Sequence, residues 1–266
     1  MKALRLVLDV SAAAGVQRVK DLEEQASKFA PAVILFGSPG SGKGTQAKLL
    51  RRCLQGPHIS TGDMLRQHIS EGDEIGRNVQ GVMKSGRLVS DDLANQLVEE
   101  RLQHDDCSSG VILDGYPRTI NQAGVLLEMT KRHRFQPAVV HLVVDYEKIV
   151  ARLSGRRQCP VCGTLYSVTT NPPKIAGICD LDGAALVTRE DDKESVIRER
   201  LEQYELQTRP ILEYFRQTGV PMIEIDGQGS TPEEIMLQVC GALAESGLIA
   251  ASVVDTLSCS EANVRQ

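Results

Sequence analysis

A glycine-rich segment between an apolar run and a helical-looking segment constrains this chain more than any other feature. The segment GSPGSGKGT (37–45) follows PAVILF and precedes QAKLLRRCL. It fits the pattern G-x-x-x-x-G-K from Gly37 to Lys43, with a strand before it and a helix after it, as a phosphate-binding loop requires. Its glycines let backbone N–H groups converge on an anion at a helix N-terminus, and Lys43 adds a full positive charge. The segment therefore predicts binding of a nucleotide phosphate.

The segment departs from the usual pattern at one position. Gly44 stands where Ser or Thr is usual, and Thr45 follows it. The hydroxyl group expected to reach Mg²⁺ is therefore displaced by one residue. The loop alone does not distinguish a switch GTPase, an ATPase and a small-molecule kinase.

Short apolar runs alternate with longer segments of helical period along the chain. The runs are AVILF (32–36), GVILD (110–114), AVVHLVVD (138–145) and PMIEID (221–226), with PHIS (57–60) as a further short candidate. Continuous apolar runs of this length are typical of buried parallel strands. Their alternation with helices predicts an α/β fold, in which helices cover both faces of a parallel sheet.

Charge and composition argue against several classes of partner. The 266 residues carry a net charge of −5, lack Trp and contain 3% aromatic residues. Neither the basic surface nor the stacking platform of a general nucleic-acid-binding protein is expected. No apolar run approaches the roughly 18 residues that a membrane helix needs, so no membrane partner is expected.

The cysteine count and the N-terminal extension bear on the compartment. Seven cysteines, an odd number in a long chain, do not resemble a secreted disulfide framework and favour a reducing, cytoplasmic location. Residues 1–31 precede the first confident strand and are predicted to contain an amphipathic helix. The alternative is an organelle-targeting segment, because Lys and Arg dominate its start.

Several ordered motifs resemble those of the adenylate kinase family, in its long, bacterial-type form. They are GSPGSGKGTQ, ISTGDMLR, GRLVSDDL, LDGYPRTINQA, GRR, NPPK and TREDD, and they extend from about Val33 to about Ala244. The resemblance implies a P-loop NTPase-type parallel sheet flanked by helices. It also implies phosphoryl transfer from ATP to AMP, giving two ADP, with Mg²⁺ accompanying the nucleotide, in a monomer. A GTP:AMP phosphotransferase of the same family shares nearly all these motifs and is the alternative.

The resemblance also divides the chain. An adenylate kinase domain is expected over 32–246, followed by a C-terminal tail over 247–266. A helical insert that binds the nucleoside monophosphate (NMP) is expected at 60–89. A second insert, the lid over the donor, is expected at 154–192.

The resemblance assigns roles to individual residues. Transfer between two nucleotides brings together about six negative charges, so arginines that grip phosphate are needed. The implied catalytic set is Lys43, Asp114, Arg118, Arg156, Arg189 and Arg200, with Asp114 orienting Mg²⁺ through water. The implied ATP-binding residues are Gly40, Ser41, Gly42, Lys43, Gly44, Thr45, Arg152, Leu165, Tyr166 and Gln228. The implied AMP-binding residues are Thr61, Arg66, Arg87, Leu88, Val89, Gly115, Arg118, Gln122, Arg189 and Arg200.

The acceptor base is assigned from Gln122 and Thr61. Gln122 lies four residues after Arg118, one helical turn on, and its amide offers both a donor and an acceptor to an adenine edge. In the family this spacing marks AMP recognition. The resemblance also implies a cis bond between Tyr116 and Pro117. None of the five histidines lies in a catalytic pattern, and all are predicted to be structural or exposed.

An irregular insert carries a second pattern. CPVC (159–162) and CDLD (179–182) are separated by 16 residues and look like a pair of zinc knuckles. The predicted ligands of a structural Zn²⁺ are Cys159, Cys162, Cys179 and Asp182. Three unliganded thiols are the alternative. The remaining cysteines, Cys53, Cys107, Cys240 and Cys259, are predicted to be ordinary thiols.

Two rival functions differ in class from a kinase. One is a zinc-ribbon nucleic-acid-binding protein built on a nucleotide switch, which the negative charge argues against. The other is a paralogue that binds nucleotide without turnover, which the complete arginine set argues against.

Overall fold

A five-stranded parallel sheet forms the centre of the molecule. The computed structural model describes residues 29–168, 171–254 and 256–257. Its strands are β1 (Ala30–Phe36), β2 (His58–Ser60), β3 (Val111–Asp114), β4 (Phe135–Val143) and β7 (Met222–Asp226). The strand order is β2-β3-β1-β4-β7, and every pair in this sheet is parallel. Each predicted apolar run is therefore a strand, and the α/β prediction is confirmed.

Helices cover both faces of this sheet. They are α1 (Lys43–Leu50), α2 (Thr61–Glu71), α3 (Glu74–Lys84), α4 (Asp91–Leu102), α5 (Ile120–Arg132), α6 (Tyr146–Ser154), α7 (Glu194–Gln203), α8 (Ile211–Thr218) and α9 (Pro232–Glu245). Within β1, Ile34 and Phe36 join a core cluster with residues of α4, α5 and α8. Val33 and Leu35 point the other way, into a cluster with α1 and α9. Because both faces are buried, the strand is a continuous apolar run rather than an alternating one.

Two smaller units project from this core. Helices α2 and α3 follow β2 and share a separate apolar cluster that includes Leu65 and Val79. Each helix begins at a side-chain cap, made by Ser60 for α2 and by Asp73 for α3. The second unit contains the antiparallel pair β5 (Arg156–Gln158) and β6 (Leu165–Ser167).

The second unit has little apolar core in the part that the structure describes. Its buried cluster consists of Cys159, Tyr166 and Cys179, with two partly buried neighbours. Val161 and Leu181, by contrast, are 73% and 74% exposed. Burial of apolar area therefore contributes little to holding this unit in shape.

The prediction that all four remaining cysteines are ordinary thiols is wrong for two of them. Cys53, after α1, and Cys240, in α9, form a disulfide with their Cα atoms 6.8 Å apart. The two lie 187 residues apart in sequence, so no local spacing could have indicated the pair. Cys107 is a buried free thiol, as predicted. Cys259 and the helix predicted before residue 29 lie outside the described residues.

No helix within the described ranges is both long enough and apolar enough to span a bilayer.

Candidate active site

The glycine-rich loop joins β1 to α1 at the carboxyl edge of the sheet. Gly37, Gly40 and Gly42 have φ values of +145°, +85° and +102°. A Cβ atom on Gly37 would lie 2.6 Å from the carbonyl oxygen of Leu142. Only glycine fits such a backbone, and the resulting loop directs the first N–H groups of α1 toward the cleft.

Lys43 lies inside this loop. Its Nζ donates hydrogen bonds to the carbonyl oxygens of Gly37 and Ser38, at 2.7 and 2.9 Å. Desolvation, together with the charges of nearby arginines, lowers the pKa of Lys43 to about 8, against the opposing charge of Asp114. A phosphate bound here would stabilise the charged lysine.

Asp114 ends β3 beside the loop. The parallel register places it opposite Leu35 of β1 on one side and Ser60 of β2 on the other. A Cβ atom on Gly44 would lie 3.3 Å from Asp114 Oδ2. This close approach gives a physical reason for glycine where Ser or Thr is usual.

His58 contacts the carboxylate of Asp114, a partner that the sequence does not indicate. Its Nε2 lies 3.4 Å from Asp114 Oδ2, with both side chains largely buried, which agrees with the structural role predicted for it. Burial raises the pKa of Asp114, but contact with His58 and the charge of Lys43 outweigh it, and the pKa lies below its ordinary value. No sequence pattern marks this contact, because β2 and β3 bring the two residues together from 56 positions apart.

Arginines from four segments converge opposite Lys43. Arg156 forms a two-bond ion pair with the buried carboxylate of Asp192. Arg200 contacts the carboxylate of Asp191 at 3.0 Å. The two aspartates thus hold Arg156 and Arg200. Arg66, Arg118 and Arg189 complete the group.

The positive charge of this group is concentrated in a buried space. Burial, reinforced by the charge of Arg200, lowers the pKa of Arg118 to about 10. Burial and the charge of Arg66 lower the pKa of Arg189 to about 9. An anion in the cleft would offset both effects, since guanidinium groups bind phosphate oxygens in a bidentate manner.

The predicted acceptor residues lie around one end of the same cleft. Thr61 Oγ1 donates to the carbonyl oxygen of Gly115 at 2.8 Å. The amide of Gln122 is 2% exposed and already bonded at both ends. Its Oε1 accepts from the N–H group of Arg118 at 2.7 Å, and its Nε2 donates to Asp91 at 2.8 Å. Gln122 therefore orients Arg118 as well as facing the cleft. The Tyr116–Pro117 bond is cis, as predicted.

A single cavity of about 710 Å³ connects the loop, the arginines and the acceptor residues. Most of the predicted site residues line it: Gly40, Ser41, Gly42, Lys43, Gly44, Thr45, Thr61, Arg66, Arg87, Leu88, Val89, Asp114, Gly115, Arg118, Gln122, Arg152, Arg156, Leu165, Tyr166 and Arg200.

Two predicted residues do not line this cavity. Arg189 instead reaches Asp63 of α2 at 3.8 Å and donates to Gln158 at 2.6 Å. Gln228 accepts a hydrogen bond from Lys148, and Ser230–Glu233 line the cavity beyond it. The wall at this end of the cavity is therefore made by Ser230–Glu233 rather than by Gln228.

The four predicted zinc ligands lie together in the second unit. The ligand atoms of Cys159, Cys162, Cys179 and Asp182 all lie within 4.8 Å of one another. The sulfur atoms of Cys162 and Cys179 are 3.6 Å apart, near the separation of about 3.8 Å expected for two thiolates on tetrahedral Zn²⁺. Asp180 is engaged elsewhere, since its Oδ1 accepts from the N–H group of Lys174. The donor set fits Zn²⁺.

This fold and this cleft define a P-loop protein in which a glycine loop faces an arginine cluster across one cavity. The family model for adenylate kinase matches residues 35–220. An adenylate kinase of Anaeromyxobacter sp. (strain K) is 49% identical over 205 residues, which is 77% of this chain and 95% of that protein. An adenylate kinase of Fervidobacterium nodosum is 47% identical, over 77% of this chain and 93% of its own. One from Trichlorobacter lovleyi is 48% identical, over 80% and 99%.

The chain therefore belongs to the adenylate kinase family. Members of this family are nucleoside monophosphate kinases, and the enzyme class predicted from the sequence is confirmed.

Proposed function

We propose that the protein catalyses the reversible transfer of the γ-phosphoryl group of Mg·ATP to AMP, giving two ADP. The observation that carries this proposal is the single cavity shared by the glycine loop, the arginine cluster and the Thr61–Gln122 wall. Two nucleotides bound at its two ends would meet with their phosphates between Lys43 and the arginines. Positioning and charge neutralisation supply most of the catalysis in such a transfer.

Each group of residues has a distinct part in the proposed mechanism. The loop amides and Lys43 hold the donor β- and γ-phosphates, while Arg152 lies along the donor. Arg66 and Arg118 hold the AMP phosphate so that one of its oxygens faces the γ-phosphorus. That oxygen forms the new P–O bond as the bond to the departing ADP oxygen breaks. Arg156 and Arg200 neutralise the charge that spreads over the transferred group, and Arg189 adds positive charge from outside the cavity wall.

The residues around Asp114 suit Mg²⁺. A carboxylate held ionised beside the loop and the hydroxyl group of Thr45 offer the hard oxygen ligands that this ion prefers. When bound, Mg²⁺ would supply positive charge that neutralises the donor phosphates. Asp114 would orient it through water, and His58 would hold the carboxylate in place.

The second projecting unit, called the lid unit from here on, is proposed to bind one structural Zn²⁺ through Cys159, Cys162, Cys179 and Asp182. The unit has little apolar core, so a metal would supply the stability that burial does not. Leu165 and Tyr166 would then cover the donor nucleoside. The domain limits are proposed as the sequence predicts them: the NMP-binding insert at 60–89 corresponds to the first projecting unit, and the lid insert at 154–192 corresponds to the second.

The donor and acceptor are tested together by initial rates of ATP and GTP against AMP, UMP and CMP. We expect ATP with AMP to give the highest kcat/KM. GTP as the better donor would establish the alternative GTP:AMP activity. Failure to form ADP from ATP and AMP would overturn the proposed function. A monomer in the cytoplasm is proposed as well, and light scattering would test the oligomeric state.

A further inference from the structure

We infer that Gln46 is a positioning residue for the donor nucleotide and acts through the backbone of Pro232. The inference rests on the proposed function, because it names a residue of the donor site. Gln46 lies in α1, three residues after Lys43, and is 2% exposed. Its Nε2 donates a 2.8 Å hydrogen bond to the carbonyl oxygen of Pro232, 186 residues away in sequence.

The segment that Gln46 holds forms one wall of the donor end of the cavity. Pro232 is the first residue of α9, and Ser230–Glu233 line the same cavity as the loop. Thr231 and Glu234 form a capping box around Pro232, so this helix start is locally rigid. A displacement of Pro232 would therefore carry the whole wall with it.

The other end of this segment is anchored separately. The N–H group of Gly227 donates to the carbonyl oxygen of Val143 at 2.9 Å, and the carbonyl oxygen of Gly227 accepts from Arg152 at 3.1 Å. Gly227 is thereby fixed to β4 and α6, whereas Gln46 fixes Pro232 to α1. The phosphate loop and the wall of the donor pocket thus move as one piece.

The polar chemistry of Gln46 argues against a purely structural role. Its Oε1 atom is buried and has no hydrogen-bond partner among the described residues. An apolar side chain of similar length would fill this space without leaving a buried acceptor unpaired. Packing of α1 against α9 is already provided by apolar residues and by the Cys53–Cys240 disulfide. The amide of Gln46 therefore holds Pro232, the first residue of α9, in place.

The structure separates this residue from the acceptor end of the cavity. The acceptor wall is built from α2, β3 and Gln122, none of which bonds to Gln46. Loss of the Gln46–Pro232 bond should weaken binding of the donor and leave binding of AMP unchanged.

The test uses Gln46→Met, which has similar length and no donor, and Gln46→Glu, which has the same shape but turns a carboxylate toward the Pro232 carbonyl. The matched control is Gln96→Met, because Gln96 is an exposed residue of α4 whose amide donates to Glu100. The dissociation constants of ATP alone and of AMP alone are measured by calorimetry, beside both KM values and the unfolding temperature.

We expect Gln46→Met to raise the Kd and KM of ATP about five- to tenfold, the effect of one lost neutral hydrogen bond. Gln46→Glu should raise them further, and the AMP constants should stay within about twofold of those of the wild type. An unchanged ATP Kd, or equal changes for both nucleotides, would overturn the inference. Loss of folding in Gln46→Met would also overturn it, because the amide would then serve stability. Absence of turnover in the wild type would refute the proposed function, while the ATP titration would still decide the role of Gln46.

Discussion

At the scale of single residues, the cleft is organised around positive charge that is held out of water. Lys43 is the clearest case, since burial lowers its pKa to about 8 and its Nζ is bonded only to loop carbonyls in the described structure. Its position in the phosphate-binding loop could be predicted from the sequence, because the glycine loop surrounds it on both sides. The residues whose charges shift the pKa of Lys43 could not be predicted, since Asp114 and the arginines come from distant segments.

Replacing Lys43 tests the loop directly. Lys43→Met should lower kcat by about 10²-fold or more, because one charge is removed from a buried phosphoryl-transfer site. Turnover and the unfolding temperature are measured together, with the exposed Lys131→Met as the control. A folded variant that keeps more than about a tenth of wild-type turnover would show that the loop does not act in this way.

Replacing Gln122 tests the acceptor end. Gln122→Leu removes two hydrogen bonds, one from the N–H group of Arg118 and one to Asp91. The N–H group of Arg118 is left unpaired, whereas Asp91 keeps the bonds from Thr119 and Asn121. A cost of about 1–3 kcal/mol corresponds to a rise in the KM for AMP of roughly five- to 150-fold. The KM for ATP should change far less. Initial rates with each substrate varied in turn distinguish this result from an equal rise for both nucleotides, which would contradict an acceptor role.

At the scale of elements, the strands were predictable and the contacts between helices were not. Apolar runs marked every strand of the main sheet, because helices cover both of its faces. Three contacts that shape the site join residues from separate elements: His58 with Asp114, Gln46 with Pro232 and Cys53 with Cys240. Each is one contact between distant segments and leaves no period or spacing in the sequence. The position of Gln228 outside the cavity likewise shows only in three dimensions.

Because of the disulfide between Cys53, which follows α1, and Cys240 of α9, we expect the free energy of unfolding to depend on reductant. Cys53→Ser should lower the free energy of unfolding by about 2–5 kcal/mol, because the crosslink restricts the unfolded chain. Urea denaturation measures this with and without dithiothreitol. In reductant the wild type should become as unstable as the variant. A wild type that is insensitive to reductant would show that the two cysteines are not crosslinked.

The proposed zinc ligands of the lid unit can be tested by substitution. Cys179→Ser should weaken or abolish zinc binding, because a hydroxyl is a poor substitute for a thiolate, whereas Asp182→Cys should retain the metal. Metal content after purification without chelators is measured beside a thiol titration of the native protein. Protein without zinc, in which Cys159, Cys162 and Cys179 all react freely, would refute the site.

At the scale of the whole molecule, the two projecting units meet across the cleft. Arg189, near the end of the lid insert, lies 3.8 Å from Asp63 of α2, and Asp63 also holds Arg66 at 2.6 Å. Lys48 of α1 donates to the carbonyl oxygen of Gly163 in the first knuckle at 3.0 Å. These contacts join the lid unit to α2 and to α1. A closed cavity favours transfer to AMP over transfer to water.

Weakening this closure should redirect the reaction. Asp63→Asn keeps the size of the side chain but removes the charge that faces Arg189 and Arg66. We expect the ratio of ATP hydrolysis to phosphoryl transfer to rise about two- to fivefold, in keeping with the modest strength of a partly exposed ion pair. Phosphate release without AMP is compared with ADP formation in its presence. The exposed Asp105→Asn serves as the control. An unchanged ratio would mean that this ion pair does not govern water exclusion.

The disulfide also has a topological consequence. It closes a covalent ring that runs from Cys53 to Cys240 and contains the strands β2, β3, β4 and β7, both projecting units and most of the cleft. A protease that cuts once within this ring opens it but does not divide the molecule, since the two new ends remain attached through the sulfur atoms. The nicked enzyme would migrate as one species in a denaturing gel without reductant and as two fragments after reduction. Damage to an exposed loop of the lid unit would thus leave α1 and α9 joined.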